Sequence, residues 1–182
     1  MDAYDGCMTD ILAQIRATPW LAELLARFEF DLTRDDPVEQ VHLASGEALT
    51  PIAGDGAGGT FLLTLSGAVV YAGSEGEGGL IAFDLRDALA LVVGLPSLHD
   101  ALARPLGDEL RGWLAKIDEG TRRDDAFRGP DWLGLDEARA RLREALGLPL
   151  ADGLLAGLHA AAADDAYRPI SEDGPYEPML RS

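Results

Sequence analysis

The chain predicts an α+β fold, a mostly antiparallel sheet of about five strands flanked by N-terminal and C-terminal helices. Three observations carry this. Between Val38 and Phe83, short apolar runs rich in β-branched and aromatic residues are separated by Gly-, Asp- and Ser-containing turns. On either side of that region apolar residues recur at helical spacing. The connections between the strand-like runs are too short for crossover helices, so neighbouring strands must run antiparallel.

The elements follow in order. Thr9 to Arg16 places Ile11, Leu12 and Ile15 on one helical face. Thr18-Pro19 then offers a cap and a proline at the first position of a second helix. In that helix Trp20, Leu24 and Phe28 form an apolar stripe at i, i+4 and i+8, expected to pack on the sheet. Asp35-Asp36-Pro37 reads as a turn. Five strands are expected after it: Val38 to Ala44, Ala48 to Ile52, Thr60 to Leu65, Ala68 to Ala72 and Leu80 to Phe83. Ser66-Gly67 is spaced for a two-residue hairpin turn. Phe61 and Leu63 should share one face of the sheet, with Leu62 on the other. Asp84 stands where an N-cap belongs, ahead of a helix over Leu85 to Val93. Leu106 to Ile117, Leu135 to Leu146 and Leu150 to Ala163 read as further helices, with Asp118 to Gly134 an irregular connection. The domain organisation expected is one α+β domain over 1–166, helically elaborated from about 106, and an extended or partly disordered tail over 167–182.

Composition bounds the function. A chain of 182 residues is long enough to remove roughly 70% of its unfolded surface from solvent and to build a core without staples. Its lone cysteine, Cys7, excludes an internal disulfide framework and reads as a small core residue. No apolar stretch has the length of a membrane span, so a cytoplasmic protein is expected, with no membrane role. The formal net charge of −17, from 32 acidic residues against 15 Lys and Arg, opposes direct nucleic-acid binding and favours a basic partner.

The catalytic and cofactor patterns fail on context. Gly54-Asp55-Gly56-Ala57-Gly58-Gly59 matches G-x-G-x-x-G, but a strand-like run follows it where a dinucleotide site needs a helix N-terminus. Ala72-Gly73-Ser74-Glu75-Gly76 is a degenerate nucleophile elbow with no helix after Ser74. His42, His99 and His159 have no partners that imply a triad, and Asp55, Glu75, Glu77 and Asp84 match no metal-loop spacing. No enzyme activity, cofactor or metal is expected. Asp55, Glu75 and Glu77 lie in two glycine-rich loops that an antiparallel sheet can bring to one end, where exposed carboxylates would form a partner-binding face.

The string PIAGDGAGGTFLL followed by VVYAGSEGEGGLIAFDLRDALALV resembles the SUKH superfamily of bacterial toxin-immunity and cell-wall-regulator-like proteins. The likeness rests on Ile52-Ala53, Asp55-Gly56 with Gly58, Phe61-Leu62-Leu63, Tyr71, Glu75 and Ile81 to Leu89, about a third to a half of the chain. The N-terminal "lP.dyk.fl" motif of many members is absent, and the helical part from Leu106 looks like a subgroup's elaboration. The resemblance implies a SUKH-like α+β fold without enzymatic activity. It also implies a protein-binding role, in many bacterial members that of an immunity protein neutralising a toxin. A nuclease-like toxin would present the basic surface that this acidity complements. The alternatives are a regulatory or scaffold binding protein and, further off, a small-ligand binder or enzyme using the cleft between sheet and helices.

Overall fold

The computed structural model describes residues 11–37 and 39–180. Helix α1 covers 11–17 and α2 covers Pro19–Ala26, with Pro19 in its first turn and Thr18 in an extended conformation ahead of it. Four strands then form an antiparallel meander: β1 (Leu49–Gly54), β2 (Thr60–Thr64), β3 (Val69–Ala72) and β4 (Glu77–Ala82). The turn between β2 and β3 has three residues, not the two expected. Thr64 N–H bonds to the Ala68 carbonyl around Leu65, Ser66 and Gly67, and Gly67 takes the positive φ of 94° that closes such a loop.

The helical layer follows as α3 (Leu85–Gly94), α4 (Leu98–Leu102), α5 (Asp108–Asp125), α6 (Leu135–Leu146) and, after a 3₁₀ turn over Ala151–Leu154, α7 (Leu155–Ala162). Asp84 caps α3 as expected, its side chain accepting the Asp87 N–H at 2.8 Å. The C-terminal segment adds the short pair β5 (Ile170–Ser171) and β6 (Gly174–Pro175), and then β7 (Glu177–Pro178). β7 pairs parallel with β4, completing a five-stranded sheet of order β1-β2-β3-β4-β7. The fold is therefore α+β, with helices flanking a mostly antiparallel sheet.

Both faces of the sheet are buried. Phe61, Val69, Tyr71 and Ile81 face the main core with α1 to α6 and with Leu155, Leu158 and Ala162 of α7, and Leu63 packs against the same cluster. Leu62, Val70 and Leu80 face the opposite way, toward Ala161 of α7 and Tyr176. The two-residue period of the strands is thus kept in β2 as expected.

Four expectations are corrected. The segment after Pro37 forms no strand: it makes one bridge, His42 to Ile170, and Val38 lies outside the described residues. That bridge goes to Ile170 of the C-terminal segment and not to the outer side of β1, where Asp31 bridges Gly54. The fifth strand comes instead from the C-terminal segment, where Tyr176 and Met179 are buried and Pro178 sits on an edge that tolerates its missing donor. Helix α5 runs through half of the expected irregular stretch. Only Leu110 and Leu114 of it are buried, and its polar second half is held to α6 by Arg122 on Asp136 and Asp118 on Arg139. In α2 the buried residues are Leu21, Leu24 and Leu25, while Trp20 is 40% exposed under the Arg141 guanidinium.

Candidate functional site

The β1–β2 loop (55–59) and the β3–β4 turn (73–76) leave the meander at the same end, and the Ser74 hydroxyl ties them by donating to the Ala57 carbonyl at 2.8 Å. The two acidic loops of the sequence therefore do meet. Their three carboxylates, however, occupy different environments.

Asp55 is buried, at 8% exposure, which corrects the expectation of a surface charge. Its Oδ1 accepts the Ala57 N–H at 2.9 Å and the Gly59 N–H at 2.8 Å, and its Oδ2 accepts the Tyr71 hydroxyl at 2.5 Å. Gly56 N–H is taken by Glu29 Oε2 at 2.6 Å. The amides of the G-x-G-x-x-G loop that could cradle a phosphate thus already hold protein carboxylates, and a phosphate would meet like charge there. The glycines serve packing instead. A Cβ on Gly59 would lie 2.0 Å from the Tyr71 hydroxyl oxygen.

Glu77 is half-buried and opens β4 rather than lying in the loop, and its Oε1 pairs with His99 Nε2 at 2.9 Å. The His99 ring stands edge-on to Tyr71 with centroids 5.5 Å apart, and Phe61 and Phe30 continue this line of rings into the core. Glu75 sits exposed in the turn, with no hydrogen-bond or ion-pair partner among the described residues. Glu177 of β7 pairs in register with Glu77 and is exposed beside it. The outer face of this end is therefore formed by Glu75, Glu77 and Glu177, while Asp55 fixes the loop beneath.

Sequence reasoning missed three participants. Glu177 lay in a segment read as a tail, and His99 reads as an ordinary surface histidine. Glu29 follows α2 in a left-handed conformation, φ 62°, alone in this among the described non-glycine residues. Its bond to Gly56 holds a conformation that glycine or asparagine would adopt more readily, and no local pattern signals it.

The chemistry open to this cluster is narrow. Burial, the hydrogen bond to Asp55 and the negative charges of Asp55, Glu77 and Glu29 push the Tyr71 phenol well above its ordinary pKa, so it holds its proton and makes a poor base or nucleophile. Ser74 spends its hydroxyl on Ala57. The cleft beside Tyr71 and His99 holds about 70 Å³, well below the roughly 300–1,000 Å³ usual for a small-molecule site. Cys7 lies outside the described residues.

No family model, curated protein or solved structure matches the chain. Its own geometry therefore carries the functional argument. Among the described residues no group of three or more His, Cys, Asp or Glu side chains is arranged to hold a metal ion, and no single helix is long and apolar enough to cross a membrane.

Proposed function

We propose that this chain is a non-catalytic protein-binding domain that receives a basic partner protein on the acidic end of its sheet. The observation that supports the reading is the clustering of Glu75, Glu77 and Glu177 at the ends of hydrogen-bonded strands, over loops locked by Asp55 and Ser74. Carboxylates held on a rigid base lose little entropy on docking, and a net charge of −17 steers a basic partner toward them. The SUKH resemblance narrows the partner class: the protein acts in the cytoplasm as an immunity protein against a basic, nuclease-like toxin, covering a surface that would otherwise bind phosphates.

The test is capture from the cells of origin by the immobilised full chain, in parallel with a variant carrying Glu75→Gln, Glu77→Gln and Glu177→Gln. The reading expects one basic protein held stoichiometrically by the parent chain and lost from the variant at moderate salt. Several weakly held proteins retained equally by both would replace it with a scaffold role on another surface.

A further inference from the structure

At the end of β4 away from the acidic loops, Ala82 and Phe83 meet α3 and α7 around a cleft of about 370 Å³, within the roughly 300–1,000 Å³ range of small-molecule sites. Its floor is Leu91 and Leu158, each 1% exposed, and its accessible sides come from Phe83, Leu154, Gly157 and Ala160. Gly157 lies on the exposed side of α7, where a Cβ would touch nothing within 4 Å, so this rim of the cleft is open. Phe83 forms the lip, 63% exposed and edge-on to Tyr167.

One ionisable group faces this apolar space. Asp87 lines the cleft half-buried, and it is Asp84, not Asp87, that caps the helix. The Asp87 carboxylate has no hydrogen-bond or ion-pair partner among the described residues. Desolvation and the neighbouring Asp84 both work against its charge, and Arg86 offsets them only in part, so its pKa is raised. A neutral apolar ligand would desolvate this carboxylate further, and an anionic one would be repelled. A cation would relieve both costs.

We propose that the cleft binds a small molecule with an apolar body and a single ammonium group, the ammonium on Asp87 and the body against Phe83 and Leu154 above the Leu91 and Leu158 floor. This site is separate from the acidic sheet end and stands whether or not that end binds a protein.

The test titrates the full chain, by calorimetry and NMR, with three probes of similar shape: 2-phenylethylamine, 2-phenylethanol and 3-phenylpropionate. The amine should bind saturably in the millimolar range or tighter, the alcohol about tenfold more weakly, and the acid not at all. Asp87→Asn should bring the amine down to the alcohol's affinity, and Gly157→Leu, which fills the cleft from a helix position, should abolish binding of both. Equal affinity for amine and alcohol on the parent chain, or no saturable binding of the amine, overturns the proposal without reference to any variant. Unchanged amine affinity in a folded Asp87→Asn protein does the same.

Discussion

Tyr71 donates its phenolic hydrogen to Asp55 Oδ2 across 2.5 Å, tying the middle of the sheet to the loop that follows β1. Tyr71→Phe removes one charge-assisted bond to a buried carboxylate and should cost roughly 1.5–3 kcal/mol. Asp55→Ala strands three donors, the Ala57 and Gly59 amides and the Tyr71 hydroxyl, and should cost more. Asp55→Asn, which keeps an acceptor for the amides, should fall between the parent and the alanine variant. Urea denaturation of the set would give the order, and an Asp55→Ala protein as stable as the parent would remove the carboxylate from its structural role.

The same bond gives stability an alkaline dependence. Tyr71 is held above its ordinary value by burial and the Asp55 bond, and Tyr176 by burial and its bond to Glu39. The unfolded chain loses these protons near pH 10, roughly the free phenol value, while the native protein keeps them. The native state then binds more protons, so this contribution is complete below about pH 10 and declines as the pH rises beyond it. Urea midpoints between about pH 9 and 11 should fall with pH, and fall less steeply in Tyr71→Phe. An identical slope in that variant would contradict the assignment.

Arg139 joins three elements: its Nε donates to the Val93 carbonyl at the end of α3 at 2.8 Å, and its two terminal nitrogens grip Asp118 of α5 at 2.5 and 2.9 Å. The pair is nearly dry, at 8% and 15% side-chain exposure. Arg139→Ala leaves a carboxylate and a carbonyl without their donor and should cost on the order of 3–5 kcal/mol. Arg139→Lys should recover little of this, because a point charge cannot span the three acceptors that the planar fork reaches. Full recovery by lysine in a denaturation series would show that charge alone, without the fork geometry, is what matters.

Trp20 marks where helical periodicity misleads. Its ring is 40% exposed under Arg141, whereas Leu25 of the same helix is fully buried. Trp20→Ala should therefore cost only about 1 kcal/mol, against roughly 2–5 kcal/mol for Leu25→Ala. Thermal melts of the two variants would decide, and a larger loss at Trp20 would reverse the orientation of α2.

The parts of the fold that could be read from sequence are those decided locally. The β1-to-β4 meander shows in its strand runs and glycine turns, and α3 in the Asp84 cap followed by an apolar helix pattern. The parts that escaped are decided at a distance. The segment after Pro37 has a strand's alternation yet bridges only Ile170 of the distant C-terminal segment, through His42, and Glu177-Pro178 has no strand pattern yet pairs with β4. The second half of α5 lacks an apolar stripe because ion pairs to α6 hold it. At the candidate site the sequence pointed to the meeting of the two loops, but not to the burial of Asp55. That burial depends on Tyr71, sixteen positions away, and on loop amides whose direction only the folded turn fixes.

The central claim, that the acidic sheet end receives a basic protein, is tested most directly by stopped-flow association of the full chain with its captured partner at low and high ionic strength. Glu75→Gln, Glu77→Gln and Glu177→Gln together should slow association about tenfold at low salt and flatten its salt dependence. The urea midpoint should fall only modestly, because Glu75 and Glu177 are exposed and only the half-buried Glu77 gives up an ion pair, the one with His99. A salt slope unchanged in the triple variant would contradict the account and place the binding face elsewhere on the molecule.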